Sequence, residues 1–283
     1  MIVPYQQDDA LLLDIGAAAD HDGHAHLWWL GQSGFLVQFD GWHLLLDPYL
    51  SDSLTAKYAA TDRPHIRMTE RVIDPGRLDF IDVVTSSHNH TDHLDAETLK
   101  PLRFANPAIT LVVAEANRAF VAERLGVAAE VPVGVAVGEH VDVGPFRIEA
   151  VPAAHEALSP EFVGYVVRCG EWTLYHSGDT VRFEGMADLL RPHQVDVALL
   201  PINGRAPERR VAGNLDAREA AVLGRDIGAR VVIPCHYEMF TFNTADPATF
   251  VEACHEVGQQ CHVLRCGEGW TTAALGEGTP GTP

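Results

Sequence analysis

The most informative stretch of the chain is SSHNHTDHLD, residues 86–95, which follows the apolar run FIDVVT. It places four potential metal ligands within six residues, at the spacing H-x-H-x-D-H. Alternate side chains of an extended segment point the same way, so His88 and His90 can converge on one ion. As the chain turns into the following helix, Asp92 and His93 can face a second ion. Imidazole and carboxylate groups suit Zn²⁺, Mn²⁺ or Fe. The alternative is a polar loop that only caps the helix, a role to which three histidines add nothing.

Three further ligand candidates lie where apolar stretches end. They are His155 in VPAAHE, Asp179 in LYHSGDT and His236 in VIPCHY. A single histidine or aspartate in a turn is more often a local hydrogen-bonding residue. All three share one position, immediately after a predicted strand, and this shared position favours a common role as ligands.

Short apolar runs alternate with turn residues along the chain, which predicts an α/β (α+β) protein. The pattern predicts strands at 26–30, 34–39, 42–47, 80–86, 110–114, 141–150, 162–169, 172–176, 195–200, 231–234 and 261–266. It predicts helices at 95–102, where Pro101 limits the helix, and at 116–125, 182–190, 217–227 and 247–257. Asp216 and Glu219 form a capping signature. Two β-then-α halves meeting near residue 150 indicate a single layered domain over 1–283, with a flexible Gly/Pro-rich tail at 275–283.

Charge and composition exclude several classes of protein. The 20 Lys+Arg against 39 Asp+Glu give a net charge of −19, which disfavours long nucleic acids because clustered Lys and Arg hold phosphate backbones. At 47% hydrophobic residues the chain can bury a large core. It has no run of 18 apolar residues and no secretory signal pattern, so no membrane span is expected. The five irregularly spaced cysteines are typical of reduced thiols, which favours a cytoplasmic location.

Several motifs together resemble the metallo-β-lactamase superfamily. They are WWLGQSGFLV, LLLDPY, SSHNHTDHLD, LYHSGDT, DVALLPING and VVIPCHYEMF, and they look most like the ascorbate-6-phosphate lactonase branch. The resemblance implies a four-layer αββα sandwich with two divalent metal ions at one edge of the paired sheets. Fold-level analogy also implies a homo-oligomer. Asp179 in place of cysteine argues against a true β-lactamase.

The resemblance also implies how the ligands divide between the two ions. The two implied sets are His88, His90 and His155 for the first ion, and Asp92, His93 and His236 for the second. Asp179 would bridge the ions. Asp47, at a predicted strand end, would orient a ligand histidine from behind.

The implied chemistry is hydrolysis by a hydroxide that two metal ions activate, with Asp92 as the catalytic carboxylate that orients it. The favoured substrate is a lactone of a small phosphorylated or carboxylated sugar acid. A phosphodiesterase acting on a small or lipid phosphodiester is the alternative enzyme. A metal-binding protein without catalysis is the alternative from another class.

The segment after DVALLPI carries the residues expected to bind the substrate. Asn203, Arg205, Arg209 and Arg210 suit an anionic small molecule, because a guanidinium group binds phosphate or carboxylate through two hydrogen bonds. The alternative is that these arginines pair with surface carboxylates. Tyr237 could donate a hydrogen bond to the oxyanion, or it could serve packing alone. Residues 50–71 are a candidate lid.

Overall fold

The structure is a computed structural model that describes residues 1–18 and 22–276. The strands are β1 (His26–Gly31), β2 (Gly34–Phe39), β3 (Trp42–Leu46), β4 (Val83–Ser86), β5 (Thr110–Ala114), β6 (Pro132–Val135), β7 (His140–Val143), β8 (Phe146–Ala154), β9 (Leu158–Cys169), β10 (Trp172–His176), β11 (Val197–Pro201), β12 (Val231–Cys235) and β13 (Gly269–Thr271). The α-helices are α1 (Asp8–Ala17), α2 (Ser53–Tyr58), α3 (Ala96–Ala105), α4 (Arg118–Leu125), α5 (Met186–Leu190), α6 (Ala217–Ile227) and α7 (Pro247–Val257).

The strands form two sheets. The first has the order β13-β1-β2-β3-β4-β5-β6, and the second has the order β12-β11-β10-β9-β8-β7. Strands β3 to β6 run parallel to one another, as do β10 to β12, and the other neighbours are antiparallel. Because parallel neighbours end at the same edge of a sheet, the segments that follow them come close together.

Helices cover the outer faces of the two sheets. Helix α4 contacts β5 and β6 with α3 beside it, while α6 contacts β11 and β12 between α5 and α7. Every residue of β4, β11 and β12 is buried, as expected of strands covered on both faces. This arrangement confirms the predicted αββα sandwich.

The capping signature before α6 is confirmed. Asp216 accepts a hydrogen bond from the Glu219 main-chain N–H at 2.8 Å, and the Glu219 side chain accepts one from the Asp216 N–H at 3.1 Å. Gly228 ends the helix with a φ of 75°. These contacts satisfy main-chain groups that helix ends leave unpaired.

Several predicted boundaries are wrong. Pro101 lies inside α3, which continues to Ala105. Helix α5 begins only at Met186, because Gly185 before it has a left-handed φ of 79°. In place of the predicted strand 261–266, the structure has an isolated β-bridge between Cys261 and Val232. The chain passes from the first sheet to the second between β6 and β7, at residues 136–139, and returns to the first sheet only with β13.

The end of the described chain is held against the body of the protein. The guanidinium group of Arg230 donates to the carbonyl oxygens of Leu275 and Gly276, at 3.0 and 3.1 Å. These two residues are the described part of the predicted tail, whose remainder, 277–283, lies outside the described residues, and the flexibility of the tail stays a prediction.

Membrane crossing by a helix needs about 20 apolar residues. The longest described helices, α6 and α7, have 11 residues each. Among the described residues, no helix is both long enough and apolar enough to cross a membrane.

Candidate metal centre

Polar side chains follow five strands at one edge of the two sheets. Asp47 follows β3, residues 87–93 follow β4, His155 follows β8, Asp179 comes shortly after β10, and His236 follows β12. Asp47 and His236 have left-handed φ values of 40° and 64°. Such backbone strain in residues other than glycine concentrates at functional sites.

His88, His90 and His155 form the first cluster, in which one ring nitrogen from each lies within 4.8 Å of the others. Nδ1 of His155 is 3.0 Å from the carbonyl oxygen of Gly213, which leaves Nε2 to face the cluster. Nδ1 of His88 is 3.1 Å from Ser87 Oγ, and its buried Nε2 has no hydrogen-bond partner among the described residues. The cluster can present three imidazole nitrogens to one ion.

Asp92, His93, Asp179 and His236 form the second cluster, again with ligand atoms within 4.8 Å. Asp179 Oδ1 is 3.2 Å from His93 Nε2, and its Oδ2 is 3.4 Å from His236 Nε2. The same Oδ2 is 3.7 Å from Nε2 of His155 in the first cluster. Asp179 therefore lies between the two clusters.

Asp47 is fully buried behind the second cluster. Its Oδ2 is 2.7 Å from His93 Nδ1, and its Oδ1 accepts hydrogen bonds from the Ser87 N–H at 3.0 Å and Thr85 Oγ1 at 3.2 Å. The Ser87 hydroxyl also donates to this carboxylate. These bonds hold the carboxylate, and the carboxylate in turn holds the His93 ring with Nε2 toward Asp179.

Opposite charges dominate the second cluster. Burial alone would lower the pKa of His93 and His236, but the carboxylates of Asp179 and Asp92 have the opposite effect and prevail. They raise the pKa of His93 well above its usual range and that of His236 to about 9. Burial would raise the pKa of both carboxyl groups, but the two imidazoles hold them below their usual range. In the first cluster, burial lowers the pKa of His88. The second cluster therefore attracts positive charge, and the first offers neutral imidazole.

These groups fit divalent metal ions. His88 Nε2 is buried and lacks a hydrogen-bond partner within the described ranges, whereas buried polar atoms normally have one. The clusters offer imidazole nitrogen and carboxylate oxygen without thiolate, a donor set suited to Zn²⁺, Mn²⁺ and Fe. Both clusters could therefore bind a metal ion.

A cavity of about 610 Å³ opens over both clusters, a volume typical of small-molecule sites. The cluster residues that line it are His90, Asp92, His155, Asp179 and His236. It also has a largely apolar side, here called the aromatic wall, formed by Leu54, Tyr58, His65, Phe240 and Phe242. In the aromatic wall the rings of Tyr58 and His65 stack with centroids 4.1 Å apart. The cavity thus combines a polar floor with an apolar side.

Four cationic side chains also line the cavity: Lys57, Arg63, Arg124 and Arg210. The guanidinium groups of Arg63 and Arg124 donate to main-chain carbonyl oxygens. Arg210 donates to Asp62 Oδ2 at 2.8 Å. The three arginines therefore have part of their hydrogen-bonding capacity in use within the protein.

The other residues expected to bind an anion are not brought to the cavity. Arg205 makes two hydrogen bonds to the Glu219 carboxylate, at 2.5 and 2.6 Å. Arg209 donates to the main-chain carbonyls of Asn203 and Thr244. The Asn203 side chain is buried and bonded to other amide side chains. Among the described residues, the cavity is lined by Arg210 but by none of these three.

Tyr237 lies in the core beside the centre. Its hydroxyl donates to the carbonyl oxygen of Leu264, and its ring stacks on Trp29 with centroids 4.2 Å apart. The side chain is buried and does not line the cavity. The structure thus places it in packing, the alternative role considered for it.

Sequence reasoning missed Gln32 and the aromatic wall. Gln32 lies inside the motif WWLGQSGFLV, between two glycines of a turn, and its side chain reaches Asp92 and His236. Only its place in that turn could have drawn attention to it. The aromatic wall joins segments near residues 54–65 and 240–242, and no local spacing indicates that they meet.

Two histidine and aspartate clusters at the edge of an αββα sandwich are typical of one class of metal-dependent enzymes, and sequence comparison identifies that class. Residues 43–237 match the family model described as the beta-lactamase superfamily domain. A UPF0173 metal-dependent hydrolase from Caldivirga maquilingensis is 31% identical over 227 residues, which cover 80% of this chain and 87% of the relative. The chain therefore belongs to the beta-lactamase superfamily and, within it, to the UPF0173 metal-dependent hydrolases.

Solved structures agree on the fold. Igni18, a metallo hydrolase from Ignicoccus hospitalis, superposes with a TM-score of 0.66 at 23% identity, covering 88% of this chain and 98% of that one. The metallo-β-lactamase fold protein YhfI from Bacillus subtilis gives 0.63 at 16% identity, covering 88% and 99%. The expectation of a metal-dependent hydrolase of this superfamily is confirmed. The comparisons do not support the ascorbate-6-phosphate lactonase branch.

Proposed function

We propose that this chain is a hydrolase with two metal ions that cleaves a small, largely uncharged carboxylic ester or lactone. The observation that carries the proposal is the position of Asp179 between two ligand clusters beneath one cavity. The residues that would hold the ions are His88, His90 and His155 for one, and Asp92, His93 and His236 for the other, with Asp179 shared.

Metal ions bound here would lower the pKa of a water molecule from 15.7 to about 7 and polarise the carbonyl under attack. The protein's own contribution centres on Asp92. Its side chain is 17% exposed and lines the cavity, whereas that of Asp179 is 5% exposed. Asp92 can therefore accept a hydrogen bond from a water molecule, orient it toward the substrate, and take its proton for transfer to the leaving group.

The bonds that the predicted arginines make within the protein support an uncharged substrate. The expected preference for a phosphate or carboxylate depended on Arg205, Arg209 and Arg210. Arg205 is bonded to Glu219, Arg209 to main-chain carbonyl oxygens and to Asn243, and Arg210 donates to Asp62. The aromatic wall can instead bury an apolar acyl or alkyl group. A phosphodiester carries a negative charge, and arginines that are already bonded to protein groups bind it less well. A lactone or ester without a phosphate is therefore the favoured substrate.

The test is a hydrolysis assay on the full chain stripped of metal and reloaded with Zn²⁺, Mn²⁺ or Fe²⁺. The substrates are uncharged lactones and esters of increasing acyl length, their carboxylated and phosphorylated counterparts, and simple phosphodiesters. We expect uncharged esters or lactones to be cleaved best. Asp92→Asn should reduce kcat at least about 100-fold, whereas Asp142→Asn, at an exposed position of β7, should not.

Each other outcome has a definite meaning. Faster cleavage of phosphodiesters, or of the phosphorylated lactones, would refute the proposed substrate class. Bound ions without hydrolysis of any substrate class would favour the non-catalytic metal-binding protein. Equal loss of activity in Asp92→Asn and Asp142→Asn would remove the assigned role of Asp92.

A further inference from the structure

Gln32 lies in the turn between β1 and β2 and has no exposed surface. Its Nε2 is 2.8 Å from Asp92 Oδ2 and 3.0 Å from His236 Nε2. Its other amide atom, Oε1, is buried without a hydrogen-bond partner in the described part of the chain. The carboxamide is therefore in contact with two of the groups assigned to the second ion.

The main chain holds Gln32 in this position. Its carbonyl oxygen accepts hydrogen bonds from Trp29 Nε1 at 3.0 Å and from the His236 N–H at 2.9 Å. Its φ is 51°, a left-handed conformation that is uncommon for residues other than glycine. Because the surrounding contacts maintain this strain, the side chain is directed at the cluster by the fold.

The contact with His236 excludes a metal ion at the same atom. A metal ion binds histidine only in its neutral form. In that form Nε2 of His236 has one lone pair, which can accept the hydrogen bond from Gln32 or bind the ion but cannot do both. The Asp92 carboxylate oxygen at 2.8 Å identifies the neighbouring amide atom as the N–H donor, since two acceptors would repel. An ion that binds His236 through Nε2 must therefore displace the Gln32 carboxamide.

We propose that Gln32 sets the affinity of the second cluster by competing with the metal ion for His236. The first cluster meets no such competitor at His88, whose Nε2 lacks a partner among the described residues. The two ions would then bind unequally, with a tightly held ion in the first cluster and an exchangeable ion in the second. This inference rests on the proposed two-ion function.

Calorimetric titration of the metal-free full chain with Zn²⁺ tests the inference, with elemental analysis to count the bound ions. The variant Gln32→Met keeps a side chain of similar length and removes the N–H groups. We expect two binding steps in the wild type. In Gln32→Met the weaker step should tighten about tenfold, because the ion no longer breaks hydrogen bonds to bind, and the tighter step should stay unchanged.

Gln259→Met is the matched control, since the Gln259 amide is also buried but bonds to the carbonyl oxygens of Ala229 and Gln260. It should leave both binding steps unchanged. Gln32→Gly, which suits the φ of 51° and also removes the amide, should reproduce the tightening if Gln32→Met folds poorly.

Three results would overturn the inference. A weaker step that is unchanged or further weakened in both Gln32 variants would mean that the amide does not compete with the ion. Two equally tight ions in the wild type would overturn the inference but leave the proposed function standing. A single bound ion in every protein would overturn the two-ion function and the inference with it.

Discussion

At the scale of single residues, side chains behind the ligands matter because they orient them. Asp47 does not line the cavity, yet it holds His93 through one oxygen and the start of the metal-binding segment through the other. Its buried carboxylate also places negative charge behind an imidazole that faces Asp179. Removing that charge should weaken metal binding although every ligand is still present.

Asp47→Asn is expected to lower metal affinity by about 10- to 100-fold, because an amide orients and polarises His93 less well. The measurement is the Zn²⁺ dissociation constant from competition with a chromophoric chelator. Asp196→Asn is the control, since Asp196 accepts a comparable hydrogen bond from the Thr173 N–H at 2.9 Å but lies before β11 rather than after it. Equal affinity in the two variants would mean that Asp47 does not act on the centre.

At the scale of elements, the turns that end the strands must approach one another closely. Gly178, in the turn after β10, has a φ of 57°. A Cβ atom there would lie 2.6 Å from Ser87 Oγ and 2.9 Å from the Val163 carbonyl oxygen. The two sheets can therefore bring Asp179 and the segment after β4 together only when this position has no side chain.

Gly178→Ala is expected to destabilise the protein more than Gly228→Ala. Gly228 has a similar φ of 75° but open space around its Cβ position, so its substitution measures backbone strain alone, about 1–2 kcal/mol. Gly178→Ala should cost about 1–3 kcal/mol more, since Ser87 and a main-chain oxygen must move. Urea unfolding gives the free energy of unfolding of both variants. Equal values would show that the turn at Gly178 does not lie close to Ser87.

The candidate lid is joined to the arginine-bearing loop by a small set of hydrogen bonds. Arg63 Nη1 donates to the carbonyl oxygens of Arg209 at 3.1 Å and Arg210 at 2.5 Å, and Arg210 in turn reaches Asp62. Arginines that were expected to bind substrate therefore take part in closing the side of the cavity. Helix α2 also lies within the candidate lid, which is consequently not an irregular loop throughout.

Arg63→Ala is expected to loosen both segments. Amide hydrogen exchange in residues 59–66 and 205–212 should become about tenfold faster, corresponding to two lost hydrogen bonds. Arg71→Ala is the control, because the contact that Arg71 makes with the described residues is an exposed pair with Asp74 at 3.6 Å. Unchanged exchange in Arg63→Ala, measured by mass spectrometry, would show that these bonds do not restrain the lid.

At the scale of the whole molecule, the centre joins the two sheets. The segment after β4 comes from the first sheet, whereas His155, Asp179 and His236 follow strands of the second sheet. An ion in either cluster would therefore cross-link the sheets at one edge. Binding to the folded chain alone stabilises it by mass action.

Removal of metal ions is expected to lower the melting temperature by about 5–10 °C. Free ion at 100 times its dissociation constant contributes about 2.7 kcal/mol, and each kcal/mol corresponds to about 2–4 °C in a chain of this size. Calorimetry with and without a chelator measures the change. The double variant His88→Ala/His155→Ala should lose most of the response, and a full response there would place the stabilising ion elsewhere.

Much of the centre could be predicted from the sequence because its signals are local. The spacing H-x-H-x-D-H occupies six consecutive residues, and His155 and His236 directly follow apolar strands. Asp47 likewise directly follows the apolar strand β3, where the structure brings it to His93. Short apolar runs between turn residues, and capped helices, likewise indicate the layered fold without long-range information.

The lining of the cavity depended on contacts between distant parts of the chain. Arg63 and Arg209 are 146 residues apart, and Gln32 and His236 are 204 apart. Whether an arginine is available to a substrate, or a glutamine contacts a metal ligand, depends on which groups the fold places beside it. The spacing of the metal-ligand candidates is a local property of the sequence. The pairing of polar groups is decided only by the tertiary structure, because each buried group must find its partner among residues far away in sequence when the two sheets pack.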